Sequence, residues 1–143
     1  MSAKVDPVKR AVAMIIDALI AAVMGAVPYV GGIASVGYML VRDGLELEFM
    51  NQRSIGKHLI GLKTVRLDGR PMDIETSVRR NWMWGIGAIN SILIWIPIIG
   101  WMLMPVVALA ALAIALYEVY NVFTDPEGRR WGDRTAATKV IAA

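Results

Sequence analysis

The chain has 143 residues, enough for one ordinary domain, and carries 15 Lys/Arg against 12 Asp/Glu for a net charge of +3. It is 57% hydrophobic and 19% charged, with a mean hydropathy of +0.53, which excludes a disordered chain and is more apolar than the about 45–50% of ordinary soluble domains. No cysteine is present and only one His, which excludes a disulfide scaffold and thiolate zinc chemistry, so neither metal nor cofactor is expected.

The placement of the charges then decides the class. Residues 11–41 hold one formal charge, Asp17, and residues 81–123 hold one, Glu118. A helix rises 1.5 Å per residue, so roughly 20 apolar residues cross a hydrocarbon core of about 30 Å. Each apolar block is interrupted by Pro and Gly. This pattern predicts an all-α membrane protein with four transmembrane helices arranged as two hairpins, in a single unit over residues 1–143.

The first helix is expected over 9–27. Basic residues ahead of an apolar run also fit a signal peptide, but Asp17 makes a poor apolar region and no clear cleavage site follows. Pro28-Tyr29-Val30-Gly31-Gly32 makes the first turn, and a second helix follows over 32–49. In the cytoplasmic loop 50–79, Ile55, Leu59 and Leu62 recur at i, i+4 and i+7. That spacing predicts an amphipathic interfacial helix whose Arg53, Lys57 and Lys63 meet lipid headgroups, with His58 at headgroup or solvent level. Alternation over 64–71 with a turn at Asp68-Gly69 predicts a small β-hairpin. Asp73 is expected to cap a short helix through Arg79 and Arg80. A third crossing follows over 80–96, a turn at Pro97 to Gly100, a fourth helix over 102–123, and a tail over 124–143. No internal repeat is evident.

All Lys/Arg fall in the N-terminus, the central loop with its flanks, and the tail. With an even number of crossings these share one side, which the positive-inside rule makes cytoplasmic, in an inner membrane. Trp82, Trp84, Tyr117 and Tyr120 then mark the inner interface, and Tyr29, Trp95 and Trp101 the outer one. The net positive charge faces membrane lipid and no nucleic acid, because no aromatic-interleaved basic patch appears.

An ionised carboxylate in mid-span costs at least ~2.5 kcal/mol, so Asp17 must be protonated, paired or facing water within the bundle. Glu118 and Asn121 share one side of the fourth helix; were helices one and four neighbours, Asp17, Glu118 and Asn121 would line one polar pocket. Such a carboxylate either exchanges protons for small cations or holds the bundle together through a Lys or Arg near the interface. No nucleophile–base pair, phosphate loop or metal spacing appears, so no enzyme activity is expected.

Three stretches resemble the RDD family of small bacterial membrane proteins, named for one Arg and two Asp. Lys9-Arg10-x2-Ala13-x2-Ile16-Asp17 supplies the Arg and the first Asp. Gln52-x-Ser54-x-Gly56-Lys57-x3-Gly61-Leu62-Lys63-Thr64-Val65-x2-Asp68-Gly69-x-Pro71 is similar to the family's loop after the second helix. Arg129-Arg130-Trp131-Gly132-Asp133-Arg134-x-Ala136-Ala137-Thr138-x-Val140 resembles its closing motif, with Asp133 as the second Asp. Ser54 stands where the family often has Thr, and Ala137 where Gly is common. The resemblance implies a triad in which Arg10 bridges Asp17 and Asp133, as a structural latch or an ion site.

The family's implied roles are transport of a small ligand, cation/proton antiport in some members, or service as a non-catalytic structural or assembly subunit. A transporter of this size would be a homo-oligomer, and an accessory subunit would join a larger membrane complex. A third reading is a surface module whose basic loop binds anionic lipid or a cytoplasmic partner.

Overall fold

Asp6 and Pro7 start the first helix. The Asp6 carboxylate accepts from the Val8 N–H at 2.8 Å, and Pro7 sits where no N–H is needed. In the computed structural model, which describes residues 4–143, this helix is α1, Pro7–Gly25. It is followed by α2 (Gly31–Val41), α3 (Ile55–Ile60), β1 (Leu62–Arg66) and α4 (Ile74–Asn81). A 3₁₀ turn, Trp82–Gly85, links α4 to α5 (Ile86–Leu93), and α6 runs Ile99–Thr124. The tail forms α7 (Trp131–Thr135) and β2 (Thr138–Ala142).

The two helical hairpins are present as α1–α2 and α5–α6. Among the described residues, α6 is the one helix long and apolar enough to span a bilayer, with 26 residues and a mean hydropathy of 2.4. α1 has 19 residues and carries Lys9, Arg10 and Asp17. α2 has 11 residues, about 16 Å at 1.5 Å per residue. The second predicted helix stops at Val41 instead of 49: Arg42 caps it with helical dihedrals, its N–H still bonded to the Tyr38 carbonyl, and the chain then turns, with Asp43 held by Lys57 and Arg80. The third predicted helix, 80–96, is broken into the end of α4, the 3₁₀ turn and α5.

Burial is inverted relative to a water-soluble protein. α6 buries Gly100, Glu118 and Asn121 while Leu103, Val106, Leu109, Leu112 and Leu116 are exposed. The fully buried large side chains include Arg42, Arg80, Asn81, Asp17, Asp43 and Asp133. Apolar surface that wide fits contact with lipid or another apolar surface, and backbone polar groups survive there because the helices satisfy them internally.

Both hairpins turn in the same way. Val30 N–H donates to the Pro28 carbonyl and Ile99 N–H to the Pro97 carbonyl, each at 2.8 Å. The residue between them is left-handed in both turns, Tyr29 at φ 65 and Ile98 at φ 64. The shared pattern, Val27-Pro28-Tyr29-Val30-Gly31 and Ile96-Pro97-Ile98-Ile99-Gly100, is a five-residue repeat, contrary to the expectation of none. Tyr29 and Trp95 stack at 6.2 Å at this end of the molecule, while Trp131 contacts Trp82 and Tyr117 edge-on in a second aromatic cluster.

The β-hairpin expected over 64–71 does not form. β1 pairs instead with β2 from the end of the chain, antiparallel, from Leu62↔Ala142 to Arg66↔Thr138. Leu62 and Val140 point from one face of this ribbon into a small apolar core with Val5 and Ala13, as the two-residue alternation of a strand requires. After Gly69 the chain enters the α4 cap, where the Asp73 carboxylate accepts from Thr76 N–H at 2.6 Å, as expected.

The interfacial helix also needs correction. α3 covers only Ile55–Ile60 and is pressed against α1. Gly56 is buried there, and a Cβ on it would collide with the Ala13 carbonyl. Lys57 is buried rather than at a headgroup, while Arg53 and Lys63 are half-buried and His58 and Leu59 exposed.

Candidate functional site

The site is the buried charge network where these elements converge. Asp17, 1% exposed, accepts from Arg42 Nη1 at 3.0 Å, Tyr38 Oη at 2.9 Å and the Gly56 N–H at 2.8 Å. α2 places Arg42 at this depth because it lies thirteen residues after Tyr29, and Asp17 lies twelve before it. In an antiparallel hairpin those positions come level. α3 supplies the third donor because Gly56 lets its backbone touch α1.

Asp43 is held by Lys57 and Arg80, with Asn81 Nδ2 at 3.2 Å. Arg80 also donates to Asp133, which takes Arg10 Nη2 at 2.9 Å and the Arg130 N–H at 3.2 Å. Arg10 also donates to the Gly128 carbonyl. Arg130 Nη2 donates to Asn81 Oδ1 at 2.7 Å. Glu118 accepts from the Trp131 and Gly132 N–H groups at 2.9 and 3.1 Å, fixing the start of α7 on α6. Gly132 is required there, since a Cβ would strike the Arg80 carbonyl.

Burial pushes the Asp43 and Asp133 carboxyls up, but the cations win. Lys57, Arg80 and Arg42 hold Asp43 well below the usual carboxylate range, and Arg80, Arg130 and Arg10 do so for Asp133. Burial and the Arg80 charge pull the Arg130 guanidinium down to about 10, against the opposing pull of Asp133 and Glu118.

Of the implied triad, Arg10 and Asp133 come together while Asp17 is held elsewhere. Arg10 pairs with Asp133 but not with Asp17, whose partner is Arg42. The pocket expected from Asp17, Glu118 and Asn121 is also partial. A cavity of about 540 Å³ lies between α1 and α6, and Asp17 and Glu118 both line it. Asn121 is buried but bonds the Tyr117 carbonyl at 2.7 Å instead. Sequence reasoning missed Tyr38, Arg42, Asp43, Arg80, Asn81 and Arg130. Equal distance from the hairpin turn was the signal available for Arg42; Arg80 and Asp43 lie on segments whose docking no local pattern reports.

The profile of the RDD family matches residues 40–137, more than half of the chain. The matched stretch starts at the end of α2, so Arg10 and Asp17 lie outside it while Asp43, Arg80 and Asp133 lie within. No curated protein and no solved structure matches the chain. A central segment and closing motif in the expected order, an apolar spanning helix and a buried network of Arg and Asp agree with that match: the chain is a small membrane protein that belongs to the RDD family.

Proposed function

We infer that this membrane protein serves transport of a small ligand, held in the cavity between α1 and α6. The observation that carries this reading is the cavity itself: about 540 Å³, walled by apolar faces of two long helices and floored by the charge network. That volume falls within the about 300–1,000 Å³ of small-molecule sites. Its basic islands favour an inner-membrane setting with both termini cytoplasmic. One copy offers little interior for a complete path, which favours a homo-oligomer.

Exchange of monovalent cations for protons is the less favoured form. Both carboxylates that line the cavity already hold donors, so Asp17 would have to release Arg42 before taking a cation. The alternative role, a non-catalytic assembly subunit, draws support from the same network, which latches the C-terminal segment to α1 and α4.

The cysteine-free sequence makes a direct test available. Ala115, on the cavity wall of α6, is replaced by Cys, and oriented proteoliposomes are treated with a membrane-impermeant thiol reagent from either side. Transport predicts labelling from both sides. Labelling from one side alone sinks the transport reading and leaves the assembly role.

A further inference from the structure

The cavity has a chemical bias that transport alone does not explain. Arg10, Arg42, Lys57, Arg80 and Arg130 line it, against Asp17 and Glu118 among the acids. Counting the network's other carboxylates, Asp43 and Asp133, five basic side chains stand beside four acids, an excess reduced because burial and the Arg80 charge pull the Lys57 ammonium down to about 7. An unbalanced buried charge is costly, and so is a buried donor without an acceptor. Arg42 Nε, Arg130 Nε and Trp84 Nε1 are buried donors of this kind, and all three belong to residues that line the cavity. The acids there offer little relief. Asp17 is occupied by three donors and Glu118 by two backbone N–H groups. Above this floor the walls are apolar, with Ala11, Met14, Ile114, Val119 and Val122 among them.

We propose that the cavity binds an anionic amphiphile, its carboxylate or phosphate head at Arg42, Arg130 and Trp84 and its acyl chain between α1 and α6. This inference rests on reading the cavity as a ligand site and names the class of ligand. The head supplies an anionic partner and the missing acceptors. The chain replaces empty apolar space with dispersion contacts. A free inorganic anion would satisfy the floor but leave the walls empty, and a neutral chain would do the reverse.

The probe is cis-parinaric acid, a fluorescent fatty acid, added to purified protein in neutral detergent, with energy transfer from tryptophan as readout. Saturable transfer is expected, displaced by oleate and by lysophosphatidylglycerol and not by oleyl alcohol or inorganic phosphate. Arg130→Gln should weaken binding by about tenfold or more, the loss expected for a hydrogen bond to a charged group. Ala115→Trp, which fills the cavity from its α6 wall and replaces no member of the network, should abolish binding while the melting temperature holds. Absence of saturable transfer, equal displacement by oleyl alcohol or by phosphate alone, or undiminished binding in folded Ala115→Trp overturns the proposal. Two-sided thiol access with no saturable binding overturns this ligand class and leaves transport standing; binding with one-sided access supports the ligand and removes transport.

Discussion

Asp133 accepts from Arg10, Arg80 and the Arg130 backbone at once, so its charge is fixed from three directions. Exchanging Arg10 and Asp133 would therefore not restore a pair. The arginine placed at 133 would meet Arg80 and Arg130, and Asp43 would lose part of its balance. The double variant R10D/D133R should unfold at a lower temperature than either single variant, as read by thermal melts in detergent; recovery would show an isolated two-residue latch. Ala137 is the second residue of interest. It is left-handed at φ 50, a conformation that costs an L-residue roughly 1–2 kcal/mol and glycine nothing. Ala137→Gly should raise stability by up to about 1 kcal/mol after glycine's added unfolded-state entropy is counted, measurable as a higher denaturant midpoint. The departure from the family pattern at this position was visible in the sequence, but its backbone strain was not.

At the scale of elements, α3 shows how a sequence pattern can mislead. Ile55, Leu59 and Leu62 have helical spacing, yet Leu62 belongs to β1 and Leu59 is exposed. What docks α3 is Gly56, whose missing side chain admits the Ala13 carbonyl and brings an N–H to Asp17 at 2.8 Å. Gly56→Ala should displace α3, free that donor and destabilise the protein by about 2–4 kcal/mol, combining overpacking with an unsatisfied buried group. Hydrogen exchange over residues 55–60 should rise markedly; exchange like wild type would show that α3 docks by its apolar side chains. Likewise β1 signalled a strand, but its partner lies at the far end of the chain. Local alternation specifies a strand's two faces and says nothing about a distant pairing edge.

For the whole molecule, the network links α1, α2, α3, α4 and α7 through charge, so stability should respond to pH as a unit. An Asp in the unfolded chain titrates near 3.9, while Asp43 and Asp133 are held well below that when folded. Above the unfolded value both states are ionised and the full stabilisation is present. As pH falls below about 4, the unfolded chain takes up protons first and stability declines through the folded carboxylates' own titration. Thermal melts should be nearly flat from about pH 7 to pH 5 and drop below about pH 4. Asp133→Asn should start lower and lose less of its remaining stability on acidification; an equally steep decline would place the acid sensitivity elsewhere.

The sequence by itself determined the membrane class, the family resemblance, the two hairpins with their turns, and α1 and α6 almost to their ends. It also singled out Asp17 and Glu118 as acids that the apolar surroundings would not tolerate alone, while Asp133 came from the family resemblance. These features follow from composition, Pro and Gly placement and the cost of burying charge, all of which are local. Tertiary structure alone decided that Arg42 partners Asp17, that Arg80 joins Asp43 to Asp133, that β1 pairs with β2, and that a cavity separates α1 from α6. The physical reason is that a buried charge dictates the presence of a partner but not its identity, which depends on which distant segments the packing brings to the same depth.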